Sequence, residues 1–180
     1  MDDGVSNVKP GAPVVLWVVA VVLAAGFVAW IALTPLPTHT RSEHPWITVQ
    51  ASGYRVELPT APTVQTVAFG AGHVVTSVQG PDAFSVVWFP AAGTDPSGVL
   101  ARAVQALTSA PAQITRALPS HTGPFGSTEV TARLSAVYLH GRMLVVGRRV
   151  YLVAELTPGE ATPPELDRLL GGFDPDPTAA

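Results

Sequence analysis

The sequence contains no cysteine, and charged side chains make up only 13% of its 180 residues. Without cysteine, the chain has no disulfide, no thiolate metal site, no iron–sulfur cluster and no cysteine nucleophile. Lysine and arginine number 10 against 13 aspartates and glutamates, so the formal net charge is −3. Nucleic acid binding requires a basic surface, and we therefore expect no nucleic acid partner.

Charge is missing altogether from one long stretch near the N-terminus. Residues 14–33 read VVLWVVAVVLAAGFVAWIAL, without a charged or amide side chain. A helix of this length, rising about 1.5 Å per residue, spans about 30 Å, the thickness of the hydrocarbon core of a bilayer. Trp17 and Trp30 lie near its two ends, where indole rings favour the boundary between lipid and water. The stretch predicts a transmembrane helix over residues 14–34, with these tryptophans as interface anchors.

Two other interpretations of this stretch stay open. A cleaved signal peptide has a shorter apolar core, of about 7–15 residues, and a more basic start than residues 1–13. A buried helix of a globular domain is rarely apolar on every face. We expect an uncleaved, single-pass membrane anchor. Because a short tail precedes it and a larger part follows, we expect the C-terminal part on the extracytoplasmic side.

The remainder of the chain divides by composition into segments. Residues 1–13 form a polar N-terminal tail, and residues 35–45 form a proline-rich linker, which favours extended conformations. Residues 46–173 are long enough to bury a core of their own, so they are expected to fold as one domain. Residues 174–180, DPDPTAA, are expected to be a disordered tail.

Short runs of alternating apolar and polar residues in that domain predict β-strands, joined by turns at glycine and proline. The predicted strands are residues 46–49, 54–58, 64–69, 73–79, 83–89, 113–118, 128–134, 136–139, 142–146 and 148–156. Turns are expected between the last three strands, at His140-Gly141 and at Gly147.

Two segments have helical periodicity instead. Asp95 is a suitable N-cap for an amphipathic helix over residues 96–109. Thr162 and Glu165 have the spacing of a capping box, which predicts a second helix that ends at Gly171-Gly172. Strands followed by a helix, strands and a helix indicate an α+β domain in which two helices cover an antiparallel sheet. The predicted fold class is therefore α+β, with an N-terminal single transmembrane helix in front of the sheet domain.

The order of several motifs resembles that of PsbP-like (PsbP/Mog-type) domains. The similar segments are GYRVELPTAP at residues 53–62, GPFG at 123–126, GRMLVVGRRVYLVAEL at 141–156 and LDRLLGGF at 166–173. The resemblance covers about residues 54–173. It implies a fold rather than an activity, because relatives include accessory subunits of photosystem II, Ran-binding proteins and bacterial membrane-anchored domains. No shared catalytic residues can be carried over, and without cysteine the chain cannot carry the lipid anchor of some members.

The sequence shows no pattern that indicates catalysis or metal binding. None of the five histidines pairs at the spacing of a helical metalloprotease site. Ser127 follows Gly126 but lacks the second glycine of a hydrolase nucleophile elbow. The glycines at 70 and 72 join two predicted strands, so no helix N-terminus follows them to hold a phosphate. We expect no catalytic residues, no cofactor and no metal.

Four residues are candidates for docking a partner. Arg142, Arg148 and Arg149 cluster on the predicted late strands, where they can bind an acidic partner or lipid head groups. A solvated strand face that discourages edge pairing is the simpler interpretation of this cluster. Trp88 and Phe89 are neighbours in one predicted strand, so their side chains point to opposite faces. One is expected in the core and the other, for which we take Trp88, on a docking surface.

Together these features predict a single-pass, membrane-anchored, non-catalytic binding domain. Its expected role is that of an accessory or assembly subunit of a larger membrane protein complex, with the lipid bilayer and other membrane-protein subunits as partners. The alternative is an extracytoplasmic domain that binds a small ligand or catalyses a reaction at an unrecognised site. Such a domain would have a deep pocket with converging polar groups.

Overall fold

The computed structural model describes residues 45–62, 64–65, 73–91, 95–108, 112–134 and 137–178. The predicted N-terminal tail, the transmembrane segment with Trp17 and Trp30, and nearly all of the linker lie outside these residues. Within the described ranges, no helix has both the length and the apolar character needed to cross a membrane.

The predicted fold class, α+β behind a transmembrane helix, is wrong for the part of the chain that the structure describes. Strands make up 60% of it, and only two helices accompany them. The strands are β1 (Ile47–Ala51), β2 (Tyr54–Leu58), β3 (Val64–Gln65), β4 (His73–Gln79), β5 (Asp82–Pro90), β6 (Ala112–Thr122), β7 (Phe125–Leu134), β8 (Val137–Val146), β9 (Arg149–Thr157) and β10 (Asp174–Pro175). The helices are α1 (Pro96–Thr108) and α2 (Glu165–Gly171).

The strand content exceeds the prediction mainly because the late strands are longer than the sequence pattern suggested. The predicted turn at His140-Gly141 is wrong, since both residues lie in the middle of the continuous strand β8. The turn at Gly147 is confirmed, and its φ of 57° is a backbone conformation that glycine adopts readily. Strand β9 is buried along its whole length, which explains its nearly continuous apolar sequence.

Seven of the strands form one antiparallel sheet in the order β3-β4-β5-β9-β8-β7-β6. Two meanders, β3 to β5 and β6 to β9, become one sheet because β9 pairs with β5. Helix α1 connects β5, near the centre, to β6 at the far edge. The other three strands form a small sheet in the order β1-β2-β10. Asp174 and Pro175, at the start of the predicted tail, are the two residues of β10 and pair with β2.

The two faces of the large sheet bury two separate hydrophobic cores. The α1 core lies between α1 and one face, and includes Val99 and Leu100 of the helix and Val130, Ala132 and Leu134 of β7. The α2 core lies between the other face and the layer of α2 and β2, and includes Leu166, Leu169, Tyr54, Val56 and Tyr151. The domain therefore has three layers, with the large sheet in the middle.

The two helices begin in different ways. The predicted N-cap of α1 is confirmed, because the backbone N–H of Gly98 donates to Asp95 Oδ2 at 2.8 Å and that of Ser97 donates to Oδ1 at 3.2 Å. The predicted capping box at Thr162 is wrong, because Pro164 occupies the N-cap position of α2 and makes no side-chain cap bond. Helix α2 is short, and it depends on burying its leucines rather than on capping.

Candidate functional site

One part of the large sheet presents polar side chains where the opposite layer leaves it open. Helix α2 packs on β8 and β9, whereas the side chains that β6 and β7 direct to the same face are mostly exposed or half-buried. Strand pairing places Leu118 opposite Glu129, Glu129 opposite Arg142, and Arg116 opposite Thr131. We call this surface the β6–β8 face; its members are Arg116, Leu118, Glu129, Thr131, Arg133 and Arg142.

The sequence of β7 explains why this face is polar. Residues point alternately to the two faces of a sheet. In β7, Val130 and Ala132 therefore enter the α1 core, while Glu129, Thr131 and Arg133 point the other way. No helix or strand of the described chain lies far enough over β6 to bury these side chains, since β6 is the last strand of the sheet. The polar alternation thus marks a surface that folding leaves accessible.

A partly exposed ion pair and an exposed leucine lie side by side on the β6–β8 face. Arg116 Nε lies 3.6 Å from Glu129 Oε1, and their side chains are 55% and 32% exposed. Such a pair contributes at most about 1 kcal/mol to stability. Leu118 is 45% exposed, and Ile47 is the other large apolar residue that is exposed in the described part of the chain. Leu118 therefore offers apolar area to a partner without a visible role in the core.

The side chain of Arg142 is hydrogen-bonded to β6 on the same face. Its Nη1 donates a hydrogen bond to the backbone carbonyl of His121 at 3.0 Å. Its Nε is buried and has no acceptor among the described residues. A guanidinium has five N–H donors in a rigid plane, so most of the donors of Arg142 remain unused by the described chain. The buried Nε–H is closed to a partner, so an acceptor from outside can bind only the Nη N–H groups that the His121 carbonyl does not use.

A buried histidine and a buried glutamate lie directly beside this face. His140 is 2% exposed and Glu155 is fully buried, and the two residues are opposite each other on β8 and β9. His140 Nε2 donates to the carbonyl of Gly159 at 3.3 Å, while Nδ1 has no partner in the described ranges. A histidine beside a carboxylate is a common arrangement for proton transfer. Here both groups are closed from solvent, so a dissolved substrate does not reach them in this conformation.

Two of the predicted docking residues, Trp88 and Arg149, come together on the central strands β5 and β9. The guanidinium carbon of Arg149 lies 4.1 Å from the centre of the Trp88 ring, and the His73 ring stacks on the same indole at 4.8 Å. Arg149 Nη1 also donates to the carbonyl of Ser52 at 2.9 Å. Trp88 and Arg149 are 7% and 9% exposed, so they present little surface. Their contacts tie β5 and β9 to the turn between β1 and β2.

The three predicted arginines do not form one patch. Arg148 is exposed at the turn between β8 and β9, Arg149 is buried against Trp88, and Arg142 lies farther along β8 on the β6–β8 face. Of the four candidates, Arg142 is thus the one in a row with the exposed Leu118, from which Glu129 separates it. Sequence reasoning missed Arg116, Leu118 and Glu129. Polar residues at every second position from 127 to 133 were the signal that one face of β7 stays outside the core.

In the described ranges, no group of three or more His, Asp or Glu side chains is close enough to hold a metal ion.

No protein family model matches the sequence, and no curated protein matches it. One solved structure that resembles the domain is PA94, a Pseudomonas aeruginosa protein of unknown function and a candidate regulator. The TM-score is 0.41 and the identity 12%, over 63% of this chain and 83% of that one.

Proposed function

We propose that this protein is a non-catalytic binding domain that works as an accessory or assembly subunit of a larger membrane protein complex. The apolar segment of residues 14–33 attaches it to the bilayer, and the β6–β8 face docks a protein partner. The observation that carries this proposal is the row of Leu118, Glu129 and Arg142, in which Glu129 lies between an exposed leucine and an arginine whose Nη1 is bonded to the sheet.

The composition of this row fits protein binding for a physical reason. Arginine is enriched in protein interfaces because its planar group makes several hydrogen bonds at once and its stem packs against apolar surface. An exposed leucine alone is common on protein surfaces and carries no meaning by itself. With the Arg116–Glu129 pair beside it and Arg142 on the far side of Glu129, Leu118 is the apolar centre of a charged rim. Interfaces share this arrangement of an apolar centre and a polar rim.

Site-specific crosslinking in the native membrane tests the docking role. A photo-crosslinking amino acid replaces Leu118 in the full-length chain, and in a control chain it replaces Arg148, which is also exposed but lies outside the face. We expect one discrete protein adduct from position 118 and none of the same mass from position 148. The absence of an adduct at position 118, or identical adducts from both positions, would overturn the docking role.

Membrane attachment has its own test. The full-length chain and a chain without residues 14–33 are compared by extraction of membranes with alkaline carbonate. We expect the full-length chain to stay in the membrane pellet and the shortened chain to appear in the supernatant. Release of the full-length chain into the supernatant would contradict attachment through this segment.

A further inference from the structure

We infer that the β6–β8 face recognises an extended, acidic protein segment in which an acidic residue and an apolar residue are two positions apart. This inference rests on the proposed function and names the chemistry of its partner. It is carried by the charge of the face, by the spacing of Arg116 and Leu118 on β6, and by the Nη N–H groups of Arg142 that the His121 carbonyl does not use.

The charge of the face is opposite to that of the chain. The face contains three arginines and one glutamate, whereas the whole sequence carries a net charge of −3. A locally basic surface on an acidic protein selects acidic partners by attraction and repels basic ones. Because the arginines are partly exposed, this selection is expected to weaken as the salt concentration rises.

The spacing along β6 sets the spacing in the partner. Arg116 and Leu118 are two residues apart on one strand, and alternate residues of a strand are about 7 Å apart on the same face. An extended partner segment has the same repeat. A carboxylate that meets Arg116 therefore brings the side chain two positions away over Leu118. The guanidinium of Arg142 is bonded to the carbonyl of His121, three residues beyond Leu118 and about 10 Å along β6, where it reaches a second acceptor of the partner.

The single glutamate argues against a continuous polyanion as the occupant. Glu129 lies between Leu118 and Arg142 in the same row. A phospholipid surface or a nucleic acid presents closely spaced negative charges, and these would be brought against this carboxylate. A protein segment can instead place a hydroxyl or an amide N–H at that point. The mixture of charges in the row thus favours a protein partner.

Features of β6 itself indicate that the partner lies on the face and does not extend the sheet. The pairing of β6 with β7 shifts at a bulge between Ile114 and Arg116, and Pro119 follows three residues later. Bulges, prolines and charged residues on an edge strand all disfavour pairing with an added strand. Binding energy is therefore expected to come from side chains, so substitution of individual side chains should change it.

Labelled peptides provide the test, used with the full-length chain in detergent micelles. The probe is a fluorescent peptide of about twelve residues that repeats Glu-Thr-Leu-Thr, long enough to run along β6. The comparison peptides repeat Lys-Thr-Leu-Thr and Glu-Thr-Ser-Thr. We expect fluorescence anisotropy to give the tightest binding for the first peptide, with affinity about tenfold lower for each of the other two. The affinity of the Glu-Thr-Leu-Thr peptide should also fall as the salt concentration is raised.

Single substitutions test whether the peptide binds at the β6–β8 face. Arg116→Gln and Leu118→Ser change exposed side chains and are expected to fold normally, and each should weaken binding of the first peptide by about fivefold. Arg142→Gln should weaken it by about tenfold, because that guanidinium is already held in place. Arg148→Gln is the matched control and should leave the affinity unchanged. A melting curve for each variant shows that the fold is retained.

Several outcomes would overturn the inference. The inference fails if the Lys-Thr-Leu-Thr peptide binds as tightly as the Glu-Thr-Leu-Thr peptide, or if the latter does not bind at all. It also fails if Arg148→Gln weakens binding as much as the substitutions on the face do. A lipid surface would replace the protein segment as the partner if two results came together. The chain would bind phosphatidylcholine vesicles that contain phosphatidylglycerol and lose this binding in Arg116→Gln, and none of the peptides would bind. If position 118 crosslinks to a protein in membranes but the peptides do not bind, only the partner chemistry fails. If that crosslink is absent, the proposed function itself fails.

Discussion

The ring of Tyr54 in β2 meets the ring of Tyr151 in β9 edge-on, with centroids 5.8 Å apart and ring planes at 81°. Phe173 packs against both, at 5.7 and 5.4 Å. The two phenols differ in their hydrogen bonds. Tyr151 donates to the carbonyl of Gly53 at 3.0 Å, whereas the buried hydroxyl of Tyr54 has no partner among the described residues. This aromatic group fixes the small sheet and the end of α2 to the large sheet.

The unequal hydrogen bonding predicts opposite effects of removing the two hydroxyls. Tyr54→Phe keeps the ring contacts and removes a buried polar atom, so it should leave the free energy of unfolding unchanged or raise it by up to about 1 kcal/mol. Tyr151→Phe removes a hydrogen bond that is made, while the Gly53 carbonyl keeps the one from the Asp176 N–H, so it should lower that free energy by about 1 kcal/mol. Urea denaturation measures both. A larger loss from Tyr54→Phe than from Tyr151→Phe would contradict this account.

The same burial predicts a loss of stability at alkaline pH. Burial raises the pKa of Tyr54 well above its ordinary value of 10.0, and the neighbouring Tyr151 adds to the effect. Burial also raises the pKa of Tyr151, although Arg149 opposes the shift. Near and above pH 10 the unfolded chain loses these protons while the folded chain keeps them, so the contribution of the two tyrosines to stability is constant below that range and falls above it. Tm measured against pH should fall less steeply in Tyr54→Phe; an identical slope would refute the assignment.

Close packing of β8 on β9 makes Gly141 intolerant of any side chain. A Cβ at this position would lie 2.6 Å from the backbone oxygen of Val153 and 2.7 Å from the Cβ of Ala154. Gly141→Ala should therefore lower the free energy of unfolding by about 2–4 kcal/mol, since backbone must move to make room. Gly126→Ala in β7 is the control, because a Cβ there meets nothing within 4 Å. Chemical denaturation of the two variants should differ accordingly, and equal stability would show that β8 and β9 adapt freely.

Gly141 also shows where the sequence was insufficient. Glycine after histidine is typical of a turn, and only the position of β9 reveals that this glycine permits close contact between strands. Local patterns did predict α1 and its cap at Asp95, because capping and helical periodicity depend on residues near in sequence. The second helix had a capping pattern as well, but Pro164 starts α2 and the leucines that it buries determine its place. The fold class was wrong because interrupted strand patterns joined into long strands.

The candidate surface was predictable only in part, and for a similar reason. Arg142 was identified as one of three neighbouring arginines, but sequence proximity does not show which of them folding covers. The predicted strand over residues 113–118 stopped before Pro119, since proline normally ends a strand. At the edge of the sheet β6 continues through Pro119 to Thr122, because a residue on the outer side needs no ladder hydrogen bond. Edge position is a property of the whole sheet, so Leu118 could not be recognised beforehand.

The cap of α1 predicts a moderate loss of stability when its carboxylate is removed. Asp95→Ala leaves the N–H groups of Ser97 and Gly98 without their acceptor, and should lower the free energy of unfolding by about 1 kcal/mol. Asp95→Asn retains an oxygen acceptor and should lose less than half as much. Thermal unfolding of the three chains measures the difference. Equal losses in both variants would show that the charge at the helix N-terminus, and not the hydrogen bonds, stabilises α1.

Arg148 and Arg149 are neighbours in sequence with opposite exposure, so their substitutions should differ strongly. Arg149→Gln removes the cation above the Trp88 ring and the charged hydrogen bond to the Ser52 carbonyl, and should cost about 2–3 kcal/mol. Arg148→Gln changes an exposed side chain at the turn and should stay within about 0.5 kcal/mol of the parent. Urea denaturation followed by tryptophan fluorescence measures both. Similar losses from the two variants would mean that the stacking of Arg149 on Trp88 contributes nothing to holding β9 and β5 against the β1–β2 turn.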